Sequence, residues 1–157
     1  MSGVSQPVLS IRDLSVRFRS EGIWRAAVEG LSFEVGARET LAVVGESGSG
    51  KSVTALSIMR LLPAANSQVE GAIRLDGRDI LCLSETQMCG IRGAAVSMIF
   101  QEPMTSLNPV LTIGLQIAEA LIYHSRVNRK AAEAEVVRIL ERVQVPAARQ
   151  RLHEISA

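Results

Sequence analysis

Thr40-Leu41-Ala42-Val43-Val44-Gly45-Glu46-Ser47-Gly48-Ser49-Gly50-Lys51-Ser52 passes from a run of strand character through a glycine-rich loop into a helix start. Residues 45–52 match G-x-x-x-x-G-K-[ST] at every fixed position, the pattern of a phosphate-binding P-loop. The chemistry explains the residue types. Backbone N–H groups must come close to phosphate oxygens, which side chains at Gly45, Gly48 and Gly50 would obstruct, and the helix that follows turns its partially positive N-terminus toward the anion. Lys51 adds a full charge for the β and γ phosphates, and the Ser52 hydroxyl is a ligand for Mg2+. A glycine-rich turn would meet this pattern by chance on the order of once in a few hundred chains of this length. Nucleotide phosphate binding is therefore the expectation.

The flanking segments supply the context such a loop needs. A continuous apolar run such as residues 40–44 is expected of a strand buried on both faces. Residues 52–62 contain no Gly or Pro, and Val53, Leu56 and Met59 recur at helical spacing until Pro63. Upstream, Leu9, Ile11, Leu14, Val16 and Phe18 alternate in two short runs interrupted at Asp13, which predicts a half-buried strand with a bulge. A polar connection over residues 19–25 follows, then alternation at Leu31, Phe33 and Val35 before a turn at residues 36–39. Downstream, Ile73 and Leu75 lead into a tight turn at Asp76-Gly77, residues 84–92 form a short polar segment, and residues 96–100 predict a second buried strand. Thr112 is placed to cap a helix through about Tyr123. Asn128 is placed to cap another, with Val136, Ile139, Leu140 and Val143 on one face and Pro146 beyond its end.

A chain of 157 residues accommodates one ordinary domain whose core needs no disulfide. Its 17 Lys and Arg against 16 Asp and Glu are scattered, so no concentrated field awaits a nucleic-acid backbone. Cys82 and Cys89, without a Cys-x-x-Cys pair or a histidine cluster, read as free thiols, and His124 and His153 as surface residues. No apolar run approaches the roughly 18–20 residues of a membrane span, and the first residues do not read as a signal peptide. Docking on a membrane protein remains compatible with this composition.

Two stretches together carry a family resemblance. Gly45 to Ser52, continued by Val53-Thr54-Ala55-Leu56, and Met98-Ile99-Phe100-Gln101-Glu102-Pro103-Met104-Thr105-Ser106-Leu107-Asn108-Pro109 resemble the ATPase subunit of an ABC transporter. The second stretch is the more specific and points to the peptide-importer branch that handles oligopeptides, dipeptides, glutathione and nickel. The resemblance extends from about Val8 to about Leu152 and implies an α/β fold. That fold is a P-loop NTPase of the ABC ATPase core type, truncated, with an N-terminal antiparallel β subdomain and the start of the helical subdomain. Residues 1–157 would be the N-terminal part of one nucleotide-binding domain, with the β subdomain and P-loop in 8–62, strands and Q-loop in 70–109, and the start of the helical subdomain in 110–145.

The same resemblance implies ATP and Mg2+ as ligands, bound by Gly45, Glu46, Ser47, Gly48, Ser49, Gly50, Lys51, Ser52 and Val53. Gln101 matches the glutamine of the Q-loop, which touches the Mg2+ and the attacking water. Lys51 and Gln101 are thus the catalytic candidates, and Ser52 and Gln101 the metal candidates. Phe18 stands where the family stacks the adenine; Trp24 is a competing platform, and ordinary core packing also accounts for Phe18. Glu102 sits one position late for a metal-holding Walker B acid and is not assigned as a base. The loop from Glu102 to Pro109 would face the transmembrane permease subunits. A second ATPase subunit in a head-to-tail dimer and, indirectly, a periplasmic or extracellular solute-binding protein complete the implied partners, at the cytoplasmic face of the cell membrane.

The family's Leu-Ser-Gly-Gly signature, Walker B aspartate with its catalytic glutamate, and switch histidine are not met before the chain closes with Ile155-Ser156-Ala157. A truncated gene, a fragment or a frameshifted tail is the expectation. Such a chain alone would be marginally stable, with an apolar strand edge exposed beside the P-loop and no steady-state ATPase activity. Two alternatives stand beside the transporter reading. One is a different P-loop enzyme such as a small-molecule kinase, which would leave residues 101–109 unexplained. The other is a non-catalytic nucleotide-binding remnant.

Overall fold

The interruption at Asp13 organises the sheet. A computed structural model describes residues 6–101 and 107–155. In it β1 (Leu9–Ser20) pairs antiparallel with β2 (Ile23–Val35) on one edge and with β3 (Ser67–Leu75) on the other, and β4 (Arg78–Asp79) joins β3, giving the order β2-β1-β3-β4. As expected, β1 is one bulged strand: its register slips between Ile11 and Leu14 against β2 and between Arg12 and Ser15 against β3, and Asp13 has a φ of 49°. The Asp13 N–H, displaced from the ladder, donates to Ser32 Oγ at 2.8 Å. Gly71 is required on β3 because its φ is 101° and a Cβ there would lie 2.5 Å from the Asp13 carbonyl oxygen. Ile11 and Leu14 are an odd step apart, yet the extra residue lets both be buried, with Val16 and with Ile73 of β3. The tight turn at Asp76-Gly77, with φ of 48° and 77°, joins β3 to β4 as the sequence indicates.

Two strand expectations are corrected. Residues 19–25 are not a polar connection: β1 continues to Ser20, Glu21-Gly22 forms a two-residue turn with φ of 53° and 80°, and Trp24 and Arg25 already belong to β2. Residues 40–44 and 96–100, expected as buried strands, belong to no strand of the sheet; Val44 is 88% exposed and Ile99 96%. A strand buried on both faces needs a ladder to satisfy its backbone, and no ladder forms on either run among the described residues.

The chain divides into two compact units, Met1–Arg92 and Gly93–Ala157. In the first, α1 (Lys51–Ile58) stops short of Pro63 because Arg60 takes a left-handed φ of 50°; its N–H bonds to Ser57 O at 3.0 Å and that of Leu61 to Leu56 O at 2.9 Å, a Schellman closure. The buried positions of α1 are Thr54 and Ser57, with Met59 buried at its C-cap, rather than Val53 and Leu56. Both hydroxyls bond back to the helix, Thr54 Oγ1 donating to Gly50 O at 3.0 Å and Ser57 Oγ to Val53 O at 2.7 Å.

The segment expected to be a short polar connection is a helix, α2 (Glu85–Ile91), opened by a capping box between Ser84 and Gln87. Arg92, at its end, donates through Nε to Met59 O at 2.8 Å and through Nη2 to Arg60 O at 3.0 Å, so a guanidinium closes the C-terminal carbonyls of α1. Its Nη1 pairs with Glu85, and that hydrogen bond holds the Glu85 carboxyl below the ordinary glutamate range.

The second unit contains α3 (Ile113–Ser125), α4 (Arg129–Arg142) and the short α5 (Ala148–Arg151). Thr112 and Asn128 cap α3 and α4 as expected, accepting from Leu115 N–H at 3.3 Å and Ala131 N–H at 2.9 Å. Ala118, Ala132, Val136, Leu140 and Ala148 form their common core. Val143, expected on the buried face of α4, is instead exposed beyond the helix, where Gln144 turns the chain with a φ of 60°. Among the described residues no helix is long and apolar enough to cross a membrane. Cys82 and Cys89 are free thiols.

Candidate functional site

The loop of residues 45–50 leads into α1 through Gly50, the N-cap, whose φ is 88° and which offers no side chain to cap the helix. The first N–H groups of α1 therefore have no side-chain acceptor at the cap. Gly50 is buried against β2: a Cβ there would lie 2.7 Å from Ala27 O and 2.9 Å from Val28 Cγ2. At Gly45 a Cβ would meet Ser49 Oγ at 2.6 Å, whereas Gly48, with φ 84°, faces open space, so its requirement is conformational. Ser49 N–H donates to Glu46 O at 3.2 Å and tightens the turn.

Lys51, the first residue of α1, folds over this loop. Its Nζ donates to Gly45 O at 2.6 Å, Glu46 O at 2.7 Å and Ser49 Oγ at 3.3 Å. An ammonium has three donors, and the loop takes up all of them. Ser52 is exposed, its hydroxyl has no partner among the described residues, and no acidic residue occupies the first turn of α1. Glu46, Ser47 and Ser49 are exposed on the loop, and Val53 is half-buried one position into the helix. This arrangement gathers a cation, a free hydroxyl and an uncapped helix start around a glycine loop in which Gly45 and Gly50 have no room for a side chain. It fits an anion with several oxygens and an accompanying cation held by a hydroxyl.

Phe18 is half-buried near the end of β1, opposite Arg25 of β2 and Ser67 of β3. Arg25 lies two positions before Ala27, the residue that seats Gly50, so register brings Phe18 to the same part of the sheet as the loop. Trp24 pairs opposite Arg19, one step nearer the hairpin turn, and is 42% exposed. Gln101 belongs to the other unit, where it is an exposed residue at a bend. Residues 102–106, which include Glu102 and much of the loop expected to face a permease, lie outside the described residues. Leu107 and Pro109, from the end of that loop, are exposed.

Sequence reasoning passed over two supports of the site. Ala27 and Val28, which close the space behind Gly50, carry no local signal; only the pairing of β2 puts them there. Arg92, which fastens the far end of α1, is likewise 33 residues from Met59. The helix that delivers Arg92 was legible, because Ser84-Glu85-Thr86-Gln87 has the S-x-x-Q spacing of a capping box.

Residues 28–157 match the family described as ABC transporter. The dipeptide transport ATP-binding protein DppD of Bacillus subtilis is 48% identical over 150 residues, covering 95% of this chain and 45% of its own length. The oligopeptide transport ATP-binding protein OppD of the same organism is 42% identical over 148 residues, covering 94% of this chain and 41% of its own. The chain thus spans less than half the length of these relatives. A bacterial ABC transporter cassette solved as a dimer superposes with a TM-score of 0.77 at 17% identity, over 94% of this chain and 61% of that one, which establishes a shared fold.

Proposed function

Because the chain belongs to the ABC transporter family, we propose that residues 45–52 bind the phosphate groups of ATP and that the chain is part of an importer ATPase subunit serving peptides or related small solutes. The observation that carries this reading is Lys51. Its ammonium is held by two loop carbonyls at 2.6 and 2.7 Å at the start of a helix that no side chain caps. Exchanging those neutral acceptors for phosphate oxygens pairs the ammonium with an opposite charge and so strengthens bonds that are already charge-assisted on the donor side. The 42–48% identity to peptide transport ATP-binding proteins supports the choice of solute class.

In this proposal the loop N–H groups and Lys51 hold the phosphates, the Ser52 hydroxyl and Gln101 hold Mg2+, and Phe18 stacks on the adenine. A bound Mg2+ would supply positive charge that offsets the charge of the phosphates. Gln101 also orients the attacking water. Val53 continues the contact into the helix, and Glu46, Ser47 and Ser49 line the loop. Residues 8–62, 70–109 and 110–145 are the β subdomain with P-loop, the strands with Q-loop and the start of the helical subdomain. Hydrolysis coupled to transport, with permease subunits contacted through the loop from Glu102 to Pro109, a second ATPase subunit, a solute-binding protein outside, and a peripheral place at the cytoplasmic membrane face, belongs to the same proposal.

Lys51→Ala tests it. The substitution is expected to weaken ATP by roughly ten- to a hundredfold, about 1.5–3 kcal/mol, in isothermal titration calorimetry. The far-ultraviolet circular dichroism should not change, since Lys51 is outside the buried core. Equal ATP affinity in the two proteins overturns the phosphate assignment.

A further inference from the structure

Asn108-Pro109-Val110-Leu111 closes a turn just before α3. Asn108 Oδ1 accepts from Val110 N–H at 3.0 Å and Asn108 O from Leu111 N–H at 3.2 Å. Pro109 presets the backbone angle that such a turn takes at its second position. These local bonds fix the shape of the turn and leave its direction open. Its direction comes from α3. Helix side chains lean toward the helix N-terminus, so Gln116, four residues beyond the cap Thr112, reaches back over the first turn. Its Oε1 accepts from Asn108 N–H at 2.7 Å, and its Nε2 donates to Asn108 O and to Leu111 O, both at 3.0 Å. One carboxamide thus meets both main-chain groups of Asn108 and the carbonyl at the far end of the turn.

The geometry selects the residue type. Asn108 N–H needs an acceptor and two carbonyls need donors, and a carboxamide offers both side by side. An ionised glutamate has no donor, a lysine no acceptor, and an asparagine is one methylene shorter. The main chain of Gln116 is already committed to the helix, its N–H donating to Thr112 O at 3.2 Å, so the bonds to the turn come in addition to those of α3. We propose that Gln116 is a positioning residue: its carboxamide fixes the turn of residues 108–111 on the start of α3 and so sets the direction in which Leu107 and Pro109 are presented. Turn and helix belong to the same compact unit, which does not contain the phosphate loop. The proposal rests on the reading of residues 102–109 as the loop that faces a permease, and it adds the residue that orients the exit of that loop.

A nitroxide label read by electron paramagnetic resonance tests it on the 157-residue chain. The label sits on a single cysteine, Leu107→Cys, with Cys82→Ser and Cys89→Ser removing the two native thiols; a second protein labelled at Lys130→Cys, exposed on α4, is the control. Gln116→Met keeps the length of the side chain and loses its hydrogen bonds, and is expected to shorten the rotational correlation time at position 107 roughly twofold or more while leaving position 130 unchanged. Gln116→Asn, which carries the same carboxamide too far from the turn, should loosen position 107 as much. Gln116→Met is also expected to bind ATP as the Gln116 protein does. If neither protein binds ATP, the assignment of residues 45–52 fails and the labels alone decide the role of Gln116. Three outcomes overturn the proposal. One is a label at position 107 that is equally mobile with Gln116 and with Gln116→Met. Another is equal loosening at positions 107 and 130, which would make Gln116 a general support of its unit. The third is a loss of ATP affinity in Gln116→Met, which would move Gln116 into the nucleotide site.

Discussion

β1 and residues 40–44 draw on the same residue types and occupy opposite environments. In β1, Leu14 and Val16 are fully buried, and the strand is paired along both edges. In residues 40–44, Leu41, Val43 and Val44 face solvent and the backbone pairs with nothing among the described residues. Apolar composition nominates a strand, but a partner at its edge decides whether it forms. Burying a leucine also buries its peptide groups, and each unpaired one forfeits about what the side chain gains.

The largest effect that can break this comparison comes from truncating one side chain in each region. Leu14→Ala is expected to cost about 2–5 kcal/mol in urea unfolding, from lost transfer energy and the cavity left behind. Val44→Ala, at an 88% exposed position, should stay within about 0.5 kcal/mol. Equal losses at the two positions would mean that residues 40–44 are buried in solution and that the contrast is not real.

A smaller effect separates two glycines that share a left-handed backbone. Gly71 and Gly48 have φ of 101° and 84°, but a Cβ at Gly71 meets the Asp13 carbonyl oxygen at 2.5 Å and at Gly48 meets nothing. Gly48→Ala should therefore cost about 1 kcal/mol of backbone strain, and Gly71→Ala clearly more, since the Asp13 bulge must also move. A reversed order would detach the bulge from the stability of the sheet.

The smallest effect lies at Arg92, where an exposed carboxylate steadies the guanidinium that closes α1. The hydrogen bond from Arg92 holds the Glu85 carboxyl below its ordinary value of 4.5. A lowered folded value means that the contribution is complete at neutral pH and disappears as the pH falls below 4.5 and through the folded value. Glu85→Gln should thus lower the thermal midpoint slightly at pH 7 and not at all in acid, where wild type and variant converge. A difference that persists unchanged into acid would assign the contact to packing.

Much of the site was legible because it is local. The spacing of Gly45, Gly50, Lys51 and Ser52 needs only adjacent residues to build a loop and a helix start. The capping positions Thr112 and Asn128 and the Asp76-Gly77 turn were equally readable, each governed by hydrogen bonds within a few residues, and the Asp13 bulge showed as a break in the alternation although its N–H is taken by Ser32, 19 residues on. The end of α1 was misplaced because Pro63 is a conspicuous stop, whereas the left-handed turn at Arg60 is carried by a residue with no turn preference. Trp24 was misplaced because Glu21-Gly22 is a weaker turn signal than Asn-Gly or Asp-Gly.

By itself the sequence determined the glycine loop with its helix start and the helix caps, from interactions closed within a short stretch of chain, and it marked the bulged first strand by a break in its alternation. Only the tertiary structure decided that Ala27 and Val28 stand behind Gly50, that Arg92 fastens α1, and that residues 40–44 and 96–100 remain outside the sheet. Strand pairing and long side-chain reach join residues far apart, so their outcome depends on which neighbours the rest of the fold makes available. A local pattern of apolar residues contains no information about that supply.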